Sequence, residues 1–364
     1  MEFLTRRSDI KTLQFLSVFI ATSVTYVTYS QEISTLSIQE TTPTPTVTPT
    51  LSDESSNFII SAGVGMRATS WNNWKKTWDH TTYDMTSTNH TIIEGDLSIP
   101  KISTKIGFNL QQDSGDLSKI KQYAGYLGFG YLSVKAERGK FTGTAHYKGL
   151  VSSEQSADIN FDQIYSYTEL DYNMAGVLPK GVQDFHYLGL RYTKWQLPSE
   201  IILTQESKAY TVIDPDYKTE FYSFILGEDS FTNELLYNSE NWKPGLDWIR
   251  SYVLGVGYGH CSVGSKAIRA AKSLYNLTMT ETDYDILAGH ISGQLGPMYG
   301  LALGGLRMAI GIAYDVNFLF VGKSPFSSQG MSLEYPAIDS GKAAVDTFPM
   351  FLYHGPIFRA HAAF

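Results

Sequence analysis

The chain has 364 residues, 43% hydrophobic and 18% charged, enough apolar material for one large domain or two small ones, and it is not disordered in the main. A formal net charge of −8 disfavours a nucleic-acid partner, because phosphate binding wants a basic surface. The single cysteine, Cys261, excludes an intramolecular disulfide and leaves no cluster for structural zinc or an iron–sulfur centre, so no metal and no cofactor is expected.

Residues 1–30 read as a signal peptide. Arg6, Arg7 and Lys11 precede an uncharged run from Leu13 to Ser30, and Thr28 and Ser30 are small enough to frame cleavage before Gln31. The alternative is an uncleaved signal anchor, and either way the chain is exported. Residues 31–57, rich in Thr-Pro repeats, read as a disordered or polyproline-like linker. Trp71, Trp74 and Trp78 then recur at helical spacing, which suits a short interfacial helix or an aromatic girdle at a membrane boundary; the bland alternative is a loop packed on itself.

From Phe58 onward two faces alternate. FIISAGVGMRA sets Phe58, Ile60, Ala62, Val64 and Met66 against Ser61, Gly63, Gly65 and Arg67. FHYLGLRYTKW opposes Leu188, Leu190 and Tyr192 to Tyr187, Gly189, Arg191 and Thr193. In GGLRMAIGIAYDVNFLF the apolar row runs from Leu306 to Phe320, while Arg307, Gly311 and Asp315 share the other side. A soluble sandwich also alternates, but its polar face carries many exposed charges. Here the second face is sparse, small and glycine-rich, and glycine is costly in a strand unless close approach or curvature requires it. Lipid outside and a polar lumen inside satisfy both rows. In that arrangement Arg67, Arg191 and Arg307 line the lumen and pair with Glu169, Asp171 and Asp315.

The expected fold is therefore all-β, a closed antiparallel transmembrane barrel over 58–364 with long loops. Twelve strands are expected, at 58–69, 92–110, 120–136, 140–150, 158–175, 184–197, 200–213, 217–227, 246–262, 282–295, 298–321 and 348–364. Ten result if 200–227 is a folded loop. Turn chemistry predicts joints at 137–140, 178–181, 214–216 and Gly296-Pro297. Parity puts Gly296-Pro297 on the periplasmic side and 322–347 outside, and KAIRAAKSLYNL, from Lys266, reads as a short loop helix.

The chain stops at FLYHGPIFRAHAAF, with Phe358, Ala360, Ala362 and Phe364 on one face and Arg359 and His361 on the other. At these residues the sequence resembles the bacterial outer-membrane β-barrel superfamily, whose members commonly end in a strand closing on Phe. The two alanines depart from the usual bulky residues of such a strand. The resemblance implies an outer-membrane location in a Gram-negative-type bacterium, contact with outer-membrane lipid, and recognition of the terminal strand by the barrel-assembly machinery through Phe364.

No P-loop, dinucleotide fingerprint, HExxH or GxSxG motif appears. Two His-x-Ser units, His260-Cys-Ser262 and His290-Ile-Ser292, each place imidazole and hydroxyl on one strand face, as nucleophilic catalysis requires. They resemble the active-site strand of outer-membrane phospholipases and lipid A deacylases but lack the Asn that follows the serine there; the alternative is that these histidines sit at the membrane boundary or in lumen hydrogen bonds. Three functions are compatible with these features. The first is a narrow porin-like channel for small hydrophilic solutes, in which the arginine rung selects polar or anionic species. The second is a plugged structural or adhesin barrel, and the third a lipid hydrolase using His290 and Ser292.

Overall fold

Side chains that alternate between two solvents favour long extended segments rich in β-branched and aromatic residues, and such segments dominate the chain. The computed structural model describes residues 58–73, 81–85, 88–113, 116–147, 157–174, 186–196, 199–205, 208–214, 216–229, 244–276, 283–303, 305–323, 343–344 and 350–364. The expected signal peptide, the linker and the 178–181 turn lie outside the described residues. The chain divides into two units, Met1–Ser55 and Ser56–Phe364, and the second holds all of the described residues.

In chain order its strands are β1 (Ile59–Asn73), β2 (Thr81–Met85), β3 (Thr88–Ile99), β4 (Thr104–Asp113), β5 (Asp116–Phe129), β6 (Leu132–Tyr147), β7 (Ala157–Asn173) and β8 (His186–Gln196). There come next β9 (Ser199–Gln205), β10 (Lys208–Asp214), β11 (Lys218–Asp229), β12 (Gly245–Ser262), helix α1 (Ser265–Tyr275), β13 (Asp283–Leu303), β14 (Leu306–Lys323), β15 (Ala343–Ala344) and β16 (Met350–Ala363). Twelve of these strands form one antiparallel ring in sequence order, skipping β2, β9, β10 and β15. The pairing of β1 with β16, from Ser61↔Ala363 to Asn73↔Phe351, makes first and last strands neighbours, and the Ile60 and Phe364 backbones exchange hydrogen bonds just beyond it. No open edge remains within the ring, so each of its strands has a hydrogen-bonded neighbour on both sides. Among the described residues no helix is long and apolar enough to cross a membrane.

The twelve strands differ from those expected. Segment 92–110 is two strands, β3 and β4, turned at Pro100–Ser103, where Ser103 takes a positive φ and donates its N–H to the Pro100 carbonyl at 3.0 Å. Segment 200–213 leaves the ring as the β9–β10 hairpin, which joins β15 in a separate three-stranded sheet, while β8 pairs directly with β11. The expected turn at 137–140 is the middle of β6. The chain reverses instead at Gly130-Tyr131, a two-residue connection between the paired Phe129 and Leu132, where Gly130 has φ +59°. Gly296-Pro297 is likewise not a turn; it lies inside β13, and the reversal into β14 comes between the paired Leu303 and Leu306. The β13–β14 ladder omits Gly296 and Pro297, where proline has no N–H to donate and a Cβ on Gly296 would strike the Ile312 carbonyl. Gly355-Pro356 repeats the device opposite β1. The expected loop helix is present as α1.

The start of β1, the end of β16, the turns at 100–103 and 130–131 and the reversal between Leu303 and Leu306 share one end of the barrel. The other end carries α1, the β9–β10 hairpin, the end of β14 and the start of β16.

Candidate functional site

Along most of each strand, positions facing inward alternate with those facing out, so the lumen wall can be read rung by rung from the register. Lys135, Glu169 and Arg191 are side by side on β6, β7 and β8. Arg191 Nε and Nη2 both lie 2.5 Å from Glu169 Oε2, and Lys135 Nζ is 3.5 Å from the other oxygen of that carboxylate. Lys135 also reaches Asp171 at 3.0 Å and lies over the Tyr187 ring, while Arg191 lies over Tyr167. Across the lumen Arg67 is paired with Asp315, which also accepts from Asn317 Nδ2 at 2.9 Å, and the guanidinium lies 5.1 Å from the Tyr353 ring centre. Arg359 approaches Glu94 at 3.3 Å, and Asn109 donates to the same oxygen at 2.7 Å. These groups surround a cavity of about 420 Å³. Glu169, Asp171 and Asp315 are only 1–2% exposed, so the wall groups crowd one another rather than standing in open water. Buried carboxylates of this kind persist only when paired.

Missing side chains position several of these groups. A Cβ on Gly107 would overlap both the Tyr126 ring and the Asp96 carboxylate; its absence lets the Tyr126 hydroxyl donate to Asp96. Asp96 also accepts from Ser61 at 3.1 Å, and Ser61 Oγ is 3.3 Å from His361 Nε2. This is not a nucleophilic triad, because the carboxylate meets the serine and the same imidazole nitrogen instead of orienting the far one.

The outside inverts this chemistry. On β8, β11 and β12 the cross-strand rows read Leu188, Leu226, Leu254; then Leu190, Phe224, Val256; then Tyr192, Tyr222, Tyr258; then Lys194, Glu220, His260. Apolar residues thus give way to a tyrosine row and then to charge, the order met on passing from hydrocarbon through an interface to water. Val64 is 60% and Val256 66% exposed, with Phe129, Phe224 and Ile312 similarly bare. Patches this apolar and this extensive do not face water on a soluble monomer.

The fold is that of a closed, twelve-stranded transmembrane β-barrel.

No family model and no curated protein matches the chain. Among solved structures it is similar to the outer membrane protease OmpT from Escherichia coli, at 9% identity and TM-score 0.27 over 87% of this chain and 99% of that one. It is also similar to a Pseudomonas aeruginosa FadL homologue, at 10% identity and TM-score 0.31 over 85% of this chain and 90% of the other. A third is the Pseudomonas putida toluene transporter TodX, at 9% identity and TM-score 0.26 over 85% and 89%. At these scores the likeness implies no activity.

Within the barrel, five of the six expected lining residues, Arg67, Arg191, Glu169, Asp171 and Asp315, border the cavity. Asp171 is held by Lys135 and not by an arginine. Arg307 is inward by register but stands at the end near the Leu303–Leu306 reversal, half-buried, away from the cavity and in no ion pair among the described residues. His290 and Ser292 both border the lumen. His290 Nδ1 is 2.8 Å from Arg191 Nη1; because arginine only donates, that nitrogen accepts and the ring proton sits on Nε2. His260 lies beside Glu220, and His260 and Ser262 fall on the outer face by register, at the upper boundary. Trp71 continues β1 in extended form, so the helical spacing does not hold there, and Trp74 and Trp78 lie outside the described residues. Phe364 is 61% exposed on the lipid side at the closing seam.

Glu137 is a lumen residue that the sequence expectation misses because it places a turn at 137–140, and Lys135, near the end of the expected strand 120–136, is a lumen residue not named among the expected lining groups. The alternation Ser133, Lys135, Glu137 against Leu132, Val134, Ala136 carries the signal that finds them.

Proposed function

We propose that the protein is an integral outer-membrane channel passing small hydrophilic solutes through a narrow, charge-lined lumen. The observation that carries this reading is a cavity of about 420 Å³ walled by carboxylates, guanidinium groups and amides inside a barrel whose exterior is apolar. Twelve strands enclose more space than an eight-stranded barrel filled by its own side chains and less than a sixteen-stranded porin. The Arg191–Glu169–Lys135–Asp171 group narrows the passage. In this reading the end bearing the start of β1, the end of β16 and the short turns faces the periplasm, and Phe364 serves recognition by the assembly machinery.

Planar-bilayer recordings test the proposal. Small discrete conductance steps are expected from the wild-type protein, growing when Arg191 and Glu169 are both replaced by Ala. A second reading, a plugged barrel acting as anchor or adhesin, draws on the near-complete burial of Glu169, Asp171 and Asp315. It requires a silent wild-type protein that conducts only after the double replacement. The lipid-hydrolase reading gains nothing from the geometry, since His290 and Ser292 border the lumen and Arg191 occupies His290 Nδ1. Unchanged lipid hydrolysis in Ser292→Ala would remove it.

A further inference from the structure

The cavity wall carries five Lys and Arg side chains against six carboxylates. The arginines expected to draw anions are neutralised where they stand: Arg67 by Asp315, Arg191 by Glu169 and Arg359 by Glu94, with Lys135 shared between Glu169 and Asp171. Glu137 differs from these acids. Gln122 Nε2 donates to one of its oxygens at 2.5 Å, Tyr165 donates to the same oxygen, and the Tyr167 hydroxyl donates to the other at 2.9 Å. All three donors are neutral, and among the described residues no Lys, Arg or His lies within ion-pair distance of this carboxylate.

The arrangement is built rather than incidental. Gly139, one inward position above Glu137 on β6, lacks the side chain that would collide with the Tyr165 ring, so the ring lies across it and its hydroxyl reaches Glu137. Phe141, the next inward position, stacks on the other part of that ring at 5.8 Å between centres. Hydrogen bonds from neutral groups hold a carboxylate in place without cancelling its charge, and a fixed charge in a narrow, low-dielectric passage sets which ions enter.

We infer that the lumen prefers small monovalent cations over anions and that Glu137 is the charge they meet. The inference rests on the conducting lumen proposed above. Under a potassium chloride gradient the wild-type reversal potential should lie on the cation side, and Glu137→Gln, which keeps one oxygen to accept from Gln122 and Tyr165, should bring the cation-to-anion permeability ratio toward one. Glu94→Gln, which leaves Arg359 without its acid, should move the ratio further toward anions. A wild-type ratio at or below one, or a ratio unmoved by Glu137→Gln, would overturn the inference. If the wild-type barrel passes no current, the channel reading fails by itself, and methylammonium titrated into the full-length protein in detergent decides this one. Broadening of the methyl proton signal that Glu137→Gln abolishes sustains the site; no broadening, or broadening equal in both proteins, removes it.

Discussion

Arg191 joins three lumen groups, Glu169, Tyr167 and His290. It gives a carboxylate with 1% exposure its main partner, covers the Tyr167 ring and fixes the tautomer of His290. Arg191→Ala leaves Glu169 with the more distant Lys135 as its cationic partner, and breaking a buried pair from one side costs about 3–5 kcal/mol. Equilibrium unfolding of the variant in detergent or liposomes should show that loss. Arg191→Met combined with Glu169→Leu should recover most of it, because the desolvated charges leave together. Arg191→Lys should not restore the wild type, since a single ammonium cannot reproduce the two-nitrogen contact with Glu169 and the bond to His290.

At the scale of the element, the connection from β8 to β11 separates closure from decoration. Gln196 and Lys218 are cross-strand partners, so the ring is already complete on either side of the β9–β10 hairpin. Replacing Ser199–Asp214 by a short Gly-containing turn should leave a barrel that still migrates faster unboiled than boiled on a gel. Loss of that mobility shift would show that the small sheet with β15 is needed for closure. The Gly-Pro steps make the opposite point. Gly296-Pro297 and Gly355-Pro356 have turn chemistry but sit within β13 and β16, where a neighbour on the other side sustains the strand and the missing N–H interrupts one ladder only.

The whole molecule is defined by its two solvents. A charge placed on the lipid face near mid-height costs about 2–4 kcal/mol, whereas one near the interface costs roughly 0–1 kcal/mol. Val64→Arg, among Ile93 and Ala360, is therefore expected to lower folding stability into liposomes by the larger amount, and Tyr222→Arg, in the tyrosine row next to Lys194 and Glu220, by the smaller. Equal costs at the two sites would contradict a hydrocarbon exterior.

What the sequence alone determined is the assignment of faces. Alternation is a local property of an extended chain, so Ser61 to Arg67 and Tyr187 to Thr193 sort into lumen and lipid rows without knowledge of any neighbour. Arg67, Arg191, Glu169, Asp171 and Asp315 were legible for that reason. The number of strands agreed only because one extra strand, from splitting 92–110, offset the departure of 200–213. Register, closure and pairing belong to the tertiary structure. Whether Glu137 is a turn residue or a lumen acid depends on β5 and β7 lying alongside it, and whether Lys135 or an arginine neutralises Asp171 depends on which rungs of β6, β7 and β8 align. A side chain's face is set by its own backbone; its partner is set by strands distant in the chain, and only the closed ring brings those together.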